Sequence, residues 1–130
     1  MLKRLHPIRL SRVYDELGEI SGARVLVDRL WPRGLSKERL QLDDWIKDVA
    51  PSEDLRKWFA HEPTKWAGFR ERYFVELDQN PEAVGECVSW CAKGPVVLLF
   101  AAKDIEHNNA GALREYLIVR LQKDSRSNAT

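Results

Sequence analysis

Two stretches of this 130-residue chain gather cations, carboxylates and a titratable ring at spacings that could act on a ligand. In the first, an apolar run from Val25 to Val27 closes on Asp28 and is followed at once by Arg29, Trp31, Pro32, Arg33 and Gly34. The second follows the apolar run Val96 to Ala102 and holds Lys103, Asp104, His107, Asn108 and Asn109. Arg29 and Arg33 could fork onto a phosphate or a carboxylate, with Lys103 adding a point charge. His107 could carry a proton near neutral pH, and Asp28 could orient a base or hold a substrate hydroxyl. Each has a plainer role as well: Asp28 and Arg29 satisfying one another, Trp31 packing rather than stacking, and Asp104, Asn108 or Asn109 capping a helix. His61, before Glu62-Pro63, ends a helix in the plain reading and joins His107 as a proton handler in the other.

The elements that must position these residues follow from periodicity. Ile8 to Tyr14 is partly alternating and predicts a first strand, and Ala23 to Asp28 or Arg29, apolar on both faces, predicts a central one. The glycine-bounded connection Asp15 to Gly22 is too short for a helical crossover, so an antiparallel hairpin is the expectation. Ser36 can cap a short turn. Leu42, Trp45, Ile46 and Val49 fall at helical spacing, and Pro51 ends that helix. Ser52 caps the next one, with Leu55, Trp58 and Phe59 on its face. Pro63 opens the longest helix, carrying Trp66, Phe69, Tyr73, Phe74 and Leu77, and Val84, Cys87, Val88 and Cys91 mark a fourth up to Lys93-Gly94-Pro95. Val96 to Ala102 is a fully buried strand, and Ala110, Leu113, Leu117 and Leu121 form the stripe of a last helix. If the two apolar strands are parallel, their following loops share one edge of the sheet, where ligands of open α/β sheets bind.

The composition excludes several classes. The length and 44% hydrophobic content fit one domain with a true core, and 21 Lys and Arg against 20 Asp and Glu give no global field for nucleic acid or membranes. Residues 1–41 nevertheless hold nine Lys and Arg against five Asp and Glu, and residues 43–82 six against ten. No run approaches the roughly 18 apolar residues of a membrane span, so a cytoplasmic protein is expected. Cys87 and Cys91 read as a reduced core pair. Motifs for phosphate loops, dinucleotides, zinc proteases and serine hydrolases are missing, and nothing in the spacing names a metal or a cofactor.

Three strings, Val27 to Lys37 with its D-R-L-W-P-R-G core, Trp58-Phe59-Ala60-His61 with Pro63 and Trp66, and Leu98 to Asp104 continued by His107 to Ala110, resemble the YeaO-like family, domain of unknown function 488. The resemblance runs from about Ile8 to Leu117. Its signature positions fall on Asp28, Arg29, Trp31, Pro32, Arg33, Gly34, His61, Lys103, His107 and Asn108. Members of the wider family look like they carry a cysteine at the end of the last strand and a Cys-His-Arg group beyond it. Here Phe100 or its neighbours and Glu106-His107-Asn108 stand instead, so a thiol mechanism does not transfer. The resemblance also implies a helix between the first two strands, which would make them parallel.

The expected architecture is a single α/β domain over residues 1–122, a small three-stranded sheet, mixed or parallel, flanked by four or five helices, with residues 123–130 a flexible tail. The expected function is binding of a small anion, phosphate or carboxylate, at the carboxyl ends of the strands. Arg29, Arg33, Lys103, Asn108 and Trp31 would be contacts, and His107, Asp28 and His61 proton handlers if there is catalysis. The rival is a nucleic-acid-associated or regulatory binding module, resting on the basic first third and on Trp31 as a stacking surface.

Overall fold

The computed structural model describes residues 5–15 and 21–127, with side chains as far as Asp124. Ile8–Arg12 (β1), Ala23–Leu26 (β2), Asp44–Trp45 (β3) and Val96–Phe100 (β4) form one sheet in the order β1-β4-β2-β3, every pairing parallel. Around it lie helices Lys37–Leu40 (α1), Glu53–Phe59 (α2), Trp66–Asp78 (α3), Pro81–Lys93 (α4) and Asn109–Ser127 (α5). The α/β class and the five helices match the expectation, and the sheet has four strands where three were expected.

The hairpin does not form. β4 lies between β1 and β2, with Val96 opposite both Ile8 and Ala23, so β1 and β2 run the same way and never touch as neighbours. β4 is buried along its whole length and has no polar side to turn to water. A β1–β2 hairpin would have left one ladder of this apolar strand unpaired. Entry into β2 needs Gly22, at φ 136°, because a Cβ there would lie 2.9 Å from the Pro95 carbonyl oxygen. Of the connection expected at Asp15 to Gly22, residues 16–20 lie outside the described residues.

The helix expected over Leu42 to Val49 is also corrected. Asp44–Trp45 is an edge strand and Lys47–Val49 a single 3-10 turn. The backbone is claimed by β2: Asp43 donates to the Arg24 carbonyl at 2.8 Å, its carboxylate accepts the Arg24 amide at 2.7 Å, and Ile46 donates to the Leu26 carbonyl at 3.0 Å. The four apolar residues do not share a face. Leu42 and Trp45 pack on one side of the sheet and Ile46 and Val49 on the other.

Local signals elsewhere hold. Ser36 and Ser52 cap α1 and α2, each accepting an amide at 3.1 Å, and Pro81 opens α4. Pro63 starts a 3-10 turn that runs into α3, which at 13 residues is shorter than α5 at 19 and so is not the longest helix expected there. Helix α5 continues through the expected tail as far as Ser127.

The sheet separates two unequal cores. On one side Val25, Val27, Leu98 and Phe100 meet α2 to α5 in a large cluster that includes Phe59, Phe69, Tyr73 and Leu117. The other holds Val13, Leu26, Leu40, Val97 and Leu99, roofed by α1 and by the segment carrying Trp31, Leu35 and Leu42. Cys87 and Cys91 are free thiols in the large core.

Candidate functional site

Parallel pairing sends the ends of β1, β4 and β2 to one edge, and there Asp28 and Arg29 part company. Asp28 accepts the Ala101 amide at 2.8 Å on one oxygen and the Asn109 side-chain amide at 3.1 Å on the other, tying β2 to the end of β4 and the start of α5. Burial raises its pKa; the bonds from Asn109 and Ala101 and the charge of Arg56 pull the other way. Arg29 turns beneath the helix-covered face, where Nη2 donates to the carbonyls of Ala50 and Pro51 at 3.3 and 3.4 Å. Its Nε is buried with no partner, and no ion pair among the described residues includes it.

His107 sits where the second loop meets α5. Its Nδ1 lies 3.0 Å from the Asp104 carboxylate, which also accepts the amides of Glu106 and His107, and these bonds hold Asp104 below the usual carboxylate range. Trp66 meets the imidazole edge-on at 5.4 Å. Trp66 in turn packs against Phe59, whose ring lies 6.3 Å from His61, so the two histidines flank one aromatic wall. His61 itself is exposed and takes φ 56° just after the α2 cap. A histidine oriented by a carboxylate has one ring nitrogen left for proton transfer. Asn108 is buried, and its side chain caps α5, donating to the Asp104 carbonyl at 3.0 Å and accepting the Gly111 amide at 2.8 Å. It braces the loop.

On the loop side the cations are open. Arg33 and Lys103 are exposed, and their side chains make no hydrogen bond or ion pair among the described residues. Two residues not singled out by sequence join them. Arg12 donates to the Ala102 carbonyl at 3.1 Å and lies 4.9 Å from the ring of Tyr14, whose hydroxyl donates to the Arg33 carbonyl at 3.0 Å. The hairpin expectation sent the end of β1 to the opposite edge, which is why Arg12 and Tyr14 were missed. The same loops carry Leu30 and Ile105, 68% and 69% exposed.

Trp31 is half-buried. Its indole nitrogen donates to the Leu35 carbonyl at 2.7 Å and its ring meets Trp45 at 5.5 Å. It lines a concavity of about 330 Å³ with Lys37, Gln41 and Asp43; a more open one of about 490 Å³ lies between Asp44 and α4. Among the described residues no cluster of His, Cys, Asp and Glu could hold a metal ion, and no helix is long and apolar enough to cross a membrane.

Residues 7–130 match the family model described as the inactive DUF488-N3 subclade. The chain belongs to the YeaO-like DUF488 family. It is 43% identical over 110 residues to the uncharacterized protein YeaO of Escherichia coli strain K12, covering 85% of this chain and 96% of the relative. The uncharacterized proteins Rv3073c of Mycobacterium tuberculosis and Mb3100c of Mycobacterium bovis are each 36% identical over 110 residues, 85% of this chain and 92% of theirs. No solved structure matches this DUF488 chain.

Proposed function

We propose that this chain is a cytoplasmic binding domain for a small anion, a phosphate or a carboxylate, taken at the carboxyl edge of the sheet. One observation carries the reading. Arg29 is a half-buried guanidinium with two carbonyl partners on one nitrogen and no carboxylate counter-charge among the described residues. A cation drawn out of water without an ion partner is costly, and an anionic ligand offsets that cost. Arg33 and Lys103 supply the exposed charge that draws such a ligand in.

The reading is one of binding without turnover. The family model's description as inactive supports this, and so does the use of Asp28 as a joint, held by the Ala101 amide and the Asn109 side chain. His107 then donates to the ligand rather than cycling a proton.

Thermal unfolding in the presence of inorganic phosphate, sulfate, small carboxylic acids and sugar phosphates tests it. A ligand at a hundred times its dissociation constant adds about 2.7 kcal/mol, a shift of several degrees. The gain should disappear in an Arg29→Gln variant and shrink in an Arg33→Ala/Lys103→Ala variant. Stabilisation instead by a short single-stranded oligonucleotide, falling steeply with salt, would replace this reading with nucleic-acid binding. No gain with any anion overturns it.

A further inference from the structure

We propose a second, independent ligand site on the loop-covered side of the sheet, in the corner between Trp31 and Trp45, which takes a flat, amine-bearing nitrogen heterocycle such as an aminated nucleobase with its sugar. The two rings stand at 69° with centroids 5.5 Å apart, forming two walls of the concavity of about 330 Å³. That volume is at the small end of the range for ligand pockets, about 300–1,000 Å³, and suits one nucleoside-sized molecule.

Both indole nitrogens are committed to backbone carbonyls, Trp31 to Leu35 at 2.7 Å and Trp45 to Asp28 at 2.8 Å. The rings are therefore held in place, and what they turn to the concavity is apolar ring surface, on which a heterocycle stacks. Lys47 lies 5.3 Å from the centroid of Trp45 and outside the lining.

Polar recognition comes from three residues on the lining. Asp43 spends one oxygen on the Arg24 amide, and the other has no partner among the described residues, so it can accept from an exocyclic amine or a sugar hydroxyl. Gln41 offers an amide that both donates and accepts. It does so from the left-handed region, at φ 48°, as the residue that ends α1. That conformation is the ordinary left-handed end of a helix, shared by Ala60 at the end of α2, and glycine takes the position without strain. Lys37 is exposed and unpaired among the described residues, placed to favour a phosphorylated form of the same ligand.

Titration of the whole protein with adenosine, inosine and adenosine 5′-monophosphate, followed by tryptophan fluorescence and by calorimetry, tests the site. The expected result is saturable quenching by adenosine, weaker binding of inosine, which lacks the amine, and tighter binding of the monophosphate. Gln41→Gly, which suits the left-handed backbone and so keeps the fold, should weaken adenosine roughly fivefold, the effect of one neutral hydrogen bond. Lys37→Ala should weaken the monophosphate and leave adenosine unchanged. Trp31→Phe should reduce the quenching signal to the part contributed by Trp45. Absence of nucleoside binding at millimolar concentration, equal affinity for adenosine and inosine, or unchanged affinity in Gln41→Gly overturns the proposal. Competition by tetramethylammonium as effective as by adenosine also overturns it, because the corner would then be an aromatic cage for a cation. Arg33→Ala/Lys103→Ala should leave this binding untouched, which keeps it separable from the anion site.

Discussion

On the helix-covered side of the carboxyl edge, Asp28 and Arg29 hold hydrogen-bond partners from other parts of the fold and His107 packs on Trp66, whereas on the loop side Arg33 and Lys103 extend into solvent. The chain thus spends similar residue types in two ways within one edge. Asp28 joins β2 to β4 and α5, and Arg29 pins the Ala50-Pro51 turn that leads into α2. A charged group that joins elements should be felt in folding whatever else it binds, as Arg29 does with its unpartnered Nε, and a charged group that joins nothing should be felt only in binding.

The largest effect expected from that contrast is at Asp28. Replacing it with Ala strands the Ala101 amide between two strand ends, since Asn109 keeps the Val27 carbonyl at 3.3 Å but Ala101 has no second acceptor. A loss of about 2 kcal/mol in urea unfolding is expected, the cost of one unsatisfied amide. A variant as stable as the parent would show that the joint is idle.

Next in size is Tyr73→Phe. The hydroxyl of Tyr73 is fully buried and donates to the Val49 carbonyl at 2.6 Å, and burial pushes its pKa up. Together with Arg29 on Ala50 and Pro51, and Glu76 accepting the Ser52 amide at 2.8 Å, it fixes the turn before α2. The lost bond is worth about 1 kcal/mol. Coupling between Tyr73→Phe and Arg29→Lys in a double-mutant cycle would sharpen the claim that Arg29 acts through that turn; strict additivity would break it.

Smaller still, on stability, is the loop side. Arg33→Ala/Lys103→Ala should change unfolding free energy by less than about 0.5 kcal/mol, as exposed substitutions do, while weakening anion binding. If instead the double variant unfolds early, the loop cations are braces like their counterparts, and the contrast between the two sides fails.

Much of this edge was legible because its residues announce themselves chemically. A strand closing on Asp-Arg and a second closing on Lys-Asp locate the two loops whatever the topology, and β2, β4 and the caps Ser36 and Ser52 follow from local patterns that tertiary packing left alone. Where the reading failed, the deciding partner was distant in sequence. Nothing near Leu42 says that Arg24 and Leu26 will claim the backbone of Asp43 and Ile46. Helical spacing there was met by residues packing on opposite sides of a sheet edge. The order of β1 and β2 turned on Val96, more than seventy residues beyond Ala23, and with the order went the side on which Arg12 and Tyr14 emerge. Whether Asp28 and Arg29 would pair was open from sequence, and it was settled by Ala101, Asn109 and the Ala50-Pro51 carbonyls.

The smallest expected effect separates two carboxylates on neighbouring loops by sign. Asp104 is held below its usual range, first by the amides of Glu106 and His107, so its contribution is present above the unfolded value near 3.8 and is lost as pH falls through the folded value. Asp28 is raised, first by burial. Its protonated form is favoured by folding, so its contribution is full below 3.8 and declines as pH rises through the folded value. Urea midpoints of the parent, Asp104→Ala and Asp28→Asn between pH 3 and 7 read the two directly. The gap between parent and Asp104→Ala should close as the solution is acidified, and the gap between parent and Asp28→Asn should move in favour of the parent over the same interval. Parallel curves for the two variants would mean that the carboxylates share one environment, and that burial at Asp28 and amide hydrogen bonds at Asp104 do not act on them in opposite directions.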